Sequence, residues 1–184
     1  MGFGSGRMEM AIEALKLFMR SLPEGCRFQI ISFGSQFRAM NGSEKIDMIA
    51  YNQESKDRAL AHIESMDANL GGTNILKPLT ATLEQNKASK KQRIFLLTDG
   101  QVGNPDKVME AARNASDVAR VFTFGIGSGC DANLVKGTAR AGRGTYTIVK
   151  DGCSDLNGLV IKALTNAMEP SLKDTTISWN GIEE

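Results

Sequence analysis

Residues 93–100 read Arg-Ile-Phe-Leu-Leu-Thr-Asp-Gly, and this stretch decides the fold. Four consecutive apolar residues followed by a Thr-Asp-Gly turn are typical of a short strand that is buried on both faces. Such strands lie in the middle of a parallel sheet, with helices packed above and below. Ligands of open α/β sheets collect at the carboxyl ends of the central strands. Asp99, at the end of this strand, is therefore the first candidate functional residue.

The rest of the chain alternates between helical and strand patterns. Before the central strand, the patterns predict a helix from Arg7, a strand over 27–33, a short edge strand over 37–40, a polar loop over 41–54 and a helix from Ser55, its N-cap, to Met66. After a tight turn at 70–74, they predict helices around 75–83, 108–118, 134–135 and 156–167, and strands over 120–125, 144–149 and 175–179. The alternation predicts an α/β fold with a doubly wound, mostly parallel sheet and helices on both faces.

Length and composition suit one ordinary domain. The chain has 184 residues, of which 41% are hydrophobic, and we assign 1–170 to the domain and 171–184 to a tail that starts a following segment. The net charge of +1 creates no field that would recruit nucleic acid or an anionic membrane. The sequence contains neither a long apolar run nor a secretory signal. We therefore expect neither a nucleic acid nor a membrane as a partner.

The cysteines favour a reducing compartment. Cys26, Cys130 and Cys153 are odd in number and fit no zinc spacing, so we expect buried thiols and a cytoplasmic protein. Asn41 and Asn114 open glycosylation sequences that would be used if the chain were secreted.

Five pieces of sequence, in this order, carry a family resemblance. They are Leu22-Pro23-Glu24-Gly25-Cys26, the strand and turn at 28–35, Gly71-Gly72-Thr73-Asn74-Ile75, the stretch at 95–102 and Phe124-Gly125-Ile126-Gly127-Ser128-Gly129. In order and spacing, over roughly residues 7–170, the chain resembles a von Willebrand factor type A (VWA) domain. It most resembles the VWA domains that follow a vault/inter-alpha-trypsin (VIT) type domain in larger proteins.

The resemblance implies a divalent cation at the carboxyl edge of the sheet. In the family, an Asp-x-Ser-x-Ser motif after the first strand, a Thr from a second loop and an Asp from a third loop hold this cation. The matching positions here are Thr73 and Asp99. Mg²⁺ prefers oxygen ligands, keeps several waters, and can leave one position for the carboxylate of a partner's Asp or Glu.

The sequence departs from the family at its start. The first strand and the Asp-x-Ser-x-Ser motif are missing, and Met1 matches the Met that commonly follows the motif. Ser5, the only nearby hydroxyl, is interpreted as part of a flexible loop. We expect this chain alone to bind Mg²⁺ weakly or not at all. We also expect the strands on either side of the absent central strand to lack backbone hydrogen-bond partners. Our hypothesis is that residues 175–179, or a strand from another segment or chain, complements the sheet.

Simpler structural roles remain open for the candidate residues. Asp99 could cap the turn after its strand, and Thr73 could cap the helix that follows it. The methionines fit core packing better than a soft-metal site. His62 is the only histidine and lies on a helix with no cysteine or acid cluster in register, so we interpret it as packed or facing solvent. A single histidine also argues against Ser-His-Asp and Cys-His enzymes.

A glycine-rich stretch offers a nucleotide-binding alternative. Gly127-x-Gly129-x-x-Ala132 follows a predicted strand and precedes a helix, and Asp151 ends the next strand, as in dinucleotide-binding domains. However, Asp131 would lie at the helix N-terminus and repel a pyrophosphate.

The leading hypothesis is therefore a non-enzymatic protein-interaction module with an incomplete metal-ion-dependent adhesion site. The alternatives are a metal-free structural domain of a larger assembly and, more remotely, a nucleotide-binding α/β enzyme.

Overall fold

The computed structural model describes residues 5–67, 70–85 and 92–169, and it confirms the α/β fold. The helices are α1 (Ser5–Arg20), α2 (Gln53–Glu64), α3 (Leu76–Gln85), α4 (Pro105–Asn114), α5 (Ala132–Ala141) and α6 (Leu156–Met168). The strands are β1 (Arg27–Phe28), β2 (Ile31–Phe33), β3 (Phe37–Ala39), β4 (Ile49–Ala50), β5 (Gln92–Thr98), β6 (Ala119–Ile126) and β7 (Tyr146–Val149). None of these helices combines the length and the apolar character needed to cross a bilayer. The strand predicted over 175–179 lies outside the described residues.

Three parallel strands form the main sheet, in the order β5-β6-β7. Residues 93–98, predicted to form the buried central strand, belong to β5, and Phe95 pairs in register with Phe122 of β6. The other strands form two antiparallel pairs, β1 with β4 and β2 with β3. Because β5, β6 and β7 run in the same direction, their carboxyl ends meet at one edge.

Helices cover both faces of this sheet, as predicted. Phe95 and Leu97 of β5 pack into a cluster with residues of α1 and α6, and the rings of Phe95 and Phe18 have centroids 4.7 Å apart. Ile94 and Leu96 point the other way, into a cluster with residues of α3, α4 and α5. The alternation follows from the period of a strand, in which successive side chains face opposite sides.

One edge of β5 has no strand partner among the described residues. β5 pairs with β6 alone, and β2 pairs only with β3. Phe33 of β2 and Ile94 of β5 both pack against the apolar cluster that includes Ile75 and Leu96. The absence of a central strand between β2 and β5 stays a prediction.

The single strand predicted over 27–33 is wrong, because the structure divides it into β1 and β2. The side chain of Gln29 interrupts it: Oε1 accepts hydrogen bonds from the backbone N–H groups of Ile30 and Met40, at 2.9 and 3.3 Å. Its Nε2 donates to the backbone carbonyl of Asp47 at 2.7 Å. A side chain therefore takes the place of ladder bonds at this point.

The polar loop predicted over 41–54 is also wrong, because it contains β4 and the start of α2. Asn52, rather than Ser55, is the N-cap of α2. Asn52 Oδ1 accepts from the Ser55 N–H, and Ser55 Oγ accepts from the Asn52 N–H, both at 2.9 Å. This reciprocal pair is a capping box, which places Ser55 inside the first turn. Both residue types favour caps, so composition alone did not distinguish them.

His62 gives the domain a specific pH dependence. Its Nε2 is buried without a hydrogen-bond partner among the described residues, and burial lowers the pKa of His62. In the unfolded chain the imidazole takes up a proton below about pH 6.5, whereas the folded state resists this uptake, so stability falls as the solution is acidified. We expect the Tm of wild type to drop more than that of His62→Gln between about pH 7.5 and about pH 5.5. Parallel pH profiles for the two proteins would contradict this assignment.

The three cysteines are free, but they are half-buried rather than fully buried. Cys130 lies against the carboxyl end of β6, since a Cβ atom at Gly125 would be 2.7 Å from its Sγ. Burial raises the pKa of Cys26 and of Cys130, which keeps both thiols protonated.

Candidate metal centre at the carboxyl edge

The carboxyl edge of the sheet brings distant parts of the chain together. Asp99 follows β5, the glycine-rich loop at 127–131 follows β6, and Asp151 follows β7. The loop at 70–75 and the first turn of α1 lie beside them, as the contacts of Thr73 and Arg7 show. Parallel strands place their carboxyl ends together, so the sheet itself assembles this edge.

Thr73 and Asp99 lie on adjacent loops. A Cβ atom at Gly100 would be 2.9 Å from Thr73 Oγ1 and 3.3 Å from its Cγ2. The Thr73 side chain therefore packs against the residue directly after Asp99. The two residues singled out as metal ligands are brought to one place, and their binding of a metal stays a prediction.

The tight turn before Thr73 depends on glycine. Gly71 and Gly72 both have positive φ, 58° and 46°, which other residues adopt only with strain. The side chain of Ser35 lies over this turn, since a Cβ atom at Gly72 would be 2.8 Å from Ser35 Oγ. The predicted turn at 70–74 is confirmed in its described part, Leu70 to Asn74.

Gly34, directly after β2, joins this turn to the end of β2. Its carbonyl accepts a hydrogen bond from the Asn74 N–H at 2.9 Å, and the Ser35 N–H donates to the Leu70 carbonyl at 2.9 Å. The backbones are so close that a Cβ atom at Gly34 would be 2.6 Å from the Leu70 oxygen. Only glycine permits this approach, which sets the position of Thr73.

Asn74, rather than Thr73, caps the helix that follows. Asn74 Oδ1 accepts a hydrogen bond from the Lys77 N–H at 3.2 Å, so Asn74 caps the first turn of α3. Within the described residues, the hydroxyl of Thr73 has no hydrogen-bond partner. A half-buried hydroxyl without a protein partner is free to serve as a ligand.

Asp99 is half-buried, and burial raises the pKa of its carboxyl group. A hydrogen bond from its own backbone N–H and the positive charge of Arg7 act in the opposite direction. The turn after β5 is supported by Thr98, whose Oγ1 accepts from the Gly100 N–H at 3.3 Å. The carboxylate of Asp99 therefore pays a desolvation cost that a bound cation would offset.

Arg7 is the member of this edge that the sequence analysis missed. Its Nε donates to Asp151 Oδ1 at 3.3 Å, while Oδ2 of Asp151 accepts from the Ser128 N–H at 3.0 Å. The Ser128 bond, followed by the Arg7 contact, lowers the pKa of Asp151. One signal could have identified Arg7: a cation in the first turn of a helix opposes the helix dipole and so calls for another explanation.

In the structure, the backbone N–H groups that a nucleotide phosphate would need at the start of α5 are already bonded. Asp131 is the N-cap of α5, and its Oδ1 accepts from the N–H groups of Asn133 and Leu134, at 2.9 and 3.0 Å. These are the groups that would otherwise bind a phosphate. Arg7 also lies across Gly127, so its side chain occupies space over the loop that would approach the pyrophosphate.

The two candidate ligands fit part of a Mg²⁺ site. A carboxylate and a neutral hydroxyl are the oxygen donors that Mg²⁺ takes from proteins, and water fills several of its remaining positions. However, the described residues contain no group of three or more His, Cys, Asp and Glu side chains that could hold a metal ion. The edge therefore supplies an incomplete set of ligands.

Comparison with known proteins places the chain in a family. The model of the von Willebrand factor type A domain matches residues 3–148. A von Willebrand factor A domain-containing protein of Dictyostelium discoideum is 36% identical over 97% of this chain and 19% of its own length. Von Willebrand factor A domain-containing protein 5B1 of Mus musculus is 39% identical over 91% of this chain and 13% of its own length. The chain thus spans about a fifth or less of these relatives.

Solved structures agree on the fold. A von Willebrand factor type A structure from Catenulispora acidiphila superposes with a TM-score of 0.72 at 22% identity, covering 85% of this chain and 38% of that one. The BatB protein of Bacteroides thetaiotaomicron gives a TM-score of 0.67 at 16% identity and covers 89% of both chains. None of these matches tests the resemblance to the VIT-associated group, which stays a prediction. The chain belongs to the von Willebrand factor type A domain family.

Proposed function

We propose that this domain is a non-enzymatic protein-interaction module that binds an acidic side chain of a partner through Mg²⁺ at Thr73 and Asp99. One observation carries the proposal. The Thr73 hydroxyl packs against Gly100 with no hydrogen-bond partner among the described residues, and the preceding residue, Asp99, carries a carboxylate that burial has partly desolvated. Membership of the von Willebrand factor type A family supports the same role.

The chemistry of the edge supports recognition rather than a reaction. A cation held by one carboxylate and one hydroxyl keeps positive charge and exchangeable waters, and a carboxylate from a partner can replace one of those waters. The lone histidine, His62, lies on α2 rather than at this edge. The proposed partner is a protein that offers an Asp or Glu, with neither nucleic acid nor membrane involved. The three free cysteines support a cytoplasmic location.

We propose further that full binding needs a strand beside β5. On its side away from β6, β5 has no strand partner among the described residues, and an added strand could bond to the backbone there. That strand would come from a segment outside the described residues or from another chain. Until it is present, we expect the affinity for Mg²⁺ to be low, roughly millimolar.

Asp99→Asn is the test of the metal site. The backbone amide signals of Gly100 and Asn74 are followed by NMR during a titration with MgCl₂. We expect saturable shifts in wild type and none in Asp99→Asn, because the neutral amide is a poor ligand for a hard cation. Asp57→Asn, which removes an exposed carboxylate on α2, is the matched control and should behave as wild type.

One observation favours a second candidate, a structural domain without metal. The described residues hold no cluster of three or more metal-binding side chains. If the amide signals of wild type shift no more with MgCl₂ than those of Asp99→Asn, the structural assignment replaces the metal-dependent one. Chelator-resistant binding of a partner by the domain with an added strand would lead to the same conclusion.

A further inference from the structure

Arg7 is held in a fixed place by a loop shaped to receive it. Gly127 has a φ of 83°, and a Cβ atom there would be 2.9 Å from the Cδ of Arg7. A Cβ atom at Gly129 would be 3.6 Å from Nη2, so the guanidinium lies along the glycine-rich loop. The ion pair with Asp151 anchors one side of it. An arginine anchored in this way loses little further freedom when it binds a ligand.

Most of the hydrogen-bonding capacity of Arg7 is unused. Nε donates to Asp151, but no described residue accepts a hydrogen bond from Nη1 or Nη2. The side chain is 34% exposed, so part of it can be reached from solvent. A guanidinium presents its N–H groups in a planar fork that matches the two oxygens of a carboxylate.

Two of the three acidic groups near Arg7 accept hydrogen bonds from other residues. Asp151 accepts a hydrogen bond from the Ser128 N–H as well as from Arg7, and Asp131 accepts two from the start of α5. Asp99 feels the charge of Arg7, but the two side chains form no ion pair within 4.0 Å. The ion pair with Asp151 uses Nε alone, so the N–H groups of Nη1 and Nη2 have no acceptor among the described residues.

From this arrangement we infer that Arg7 is a second contact for the acidic side chain of the partner, next to the proposed cation. The inference rests on the proposed function of the same edge and names a residue that determines its specificity for carboxylates. One carboxylate oxygen would bind the cation, and the other would accept from the guanidinium. Because Arg7 needs no metal, it should bind a simple carboxylate weakly even in metal-free buffer, and more tightly once Mg²⁺ adds positive charge.

The test uses acetate as the probe and the full chain. The Nε–Hε signal of Arg7 and the amide signals of Ser128 and Gly129 are followed by NMR in buffer freed of metals on a resin. Carboxylate chelators are left out because they would compete with acetate. We expect saturable shifts with sodium acetate and none with sodium chloride at equal ionic strength.

Arg7→Lys keeps the charge and the pairing with Asp151 but removes the fork, so it should bind acetate about tenfold more weakly. Arg7→Gln should lose binding altogether, and its amide spectrum reports whether it is folded. Arg143→Gln is the matched control, because Arg143 also forms an exposed ion pair, with Asp117, near the opposite edge. Equal acetate affinity in wild type and Arg7→Lys, or shifts that never saturate in wild type, would overturn the inference.

The two proposals can fail separately. Acetate binding that depends on Arg7, without any shift caused by MgCl₂, would support this inference and reject the metal site. Saturable MgCl₂ shifts that depend on Asp99, with acetate binding unaffected by Arg7→Lys, would support the metal site and reject this inference.

Discussion

An added strand should stabilise this domain more than any single substitution. Fusing an apolar strand and an Asp-x-Ser-x-Ser turn ahead of α1 is expected to raise the free energy of unfolding by at least about 3 kcal/mol. The added strand would pair with the open edge of β5 and cover the half-exposed Phe95 and Leu97. For a chain of this size the Tm should rise by about 6–12 °C. The turn would also supply a charged ligand, so we expect Mg²⁺ to bind about a hundredfold more tightly.

Two control fusions separate the strand from the ligand. A fusion with Asn in place of the Asp of the added motif should keep the gain in stability and lose the gain in Mg²⁺ affinity. A fusion with proline at alternate positions of the added strand should lose both the stability and the Mg²⁺ affinity gained, because proline cannot donate a hydrogen bond to the strand ladder. Stability is measured by urea unfolding and affinity by calorimetry. An extension that leaves the urea midpoint unchanged would show that the edge of β5 does not accept a strand.

Gly34→Ala should be the most damaging small substitution near the site. The new methyl group would collide with the backbone carbonyl oxygens of Leu70 and Gly71, which cannot move without breaking the bonds that join this turn to the end of β2. We expect a loss of about 2–4 kcal/mol in the free energy of unfolding. Because the turn carries Thr73, the NMR shifts caused by MgCl₂ at Asn74 should also weaken.

Gly103→Ala is the control for this substitution. Gly103 has no heavy atom within 4 Å of the place where a Cβ would lie, and its φ is not positive. Its replacement should change the urea midpoint little. If Gly34→Ala were as stable as Gly103→Ala, the close contact between the end of β2 and the turn before Thr73 would not exist in solution.

The elements of the main sheet were predictable because their sequences are unambiguous. The apolar run of β5 fits a doubly covered strand, and the helical spacing around it fits its neighbours. The errors lie where side chains compete with the backbone. Gln29 replaces ladder bonds between β1 and β2, and Asn52 takes the cap that Ser55 was predicted to provide. Such competition depends on partners far along the chain, which local patterns do not contain.

The candidate site was predictable only in part. The family resemblance indicated Thr73 and Asp99, and the bonds between the end of β2 and the turn before Thr73 help to set the position of Thr73. Arg7 was missed because its partner, Asp151, is 144 residues away in the sequence. Nothing in the spacing of the sequence predicts that an arginine in the first turn of α1 crosses the loop after β6. The structure was needed to show that the edge combines a candidate cation site with a guanidinium.

Paramagnetic broadening by Mn²⁺ tests most directly whether Thr73 and Asp99 bind a cation, because it locates even a weakly bound ion. Mn²⁺ accepts the same oxygen ligands as Mg²⁺, and it broadens NMR signals steeply with proximity. At substoichiometric Mn²⁺, we expect the amide signals of Asn74 and Gly100 to disappear first in wild type and to persist in Asp99→Asn. The signal of Arg120, near the start of β6 at the opposite edge, should remain sharp. Broadening that is uniform, or that is unchanged in Asp99→Asn, would contradict the assignment of Thr73 and Asp99 as a cation site.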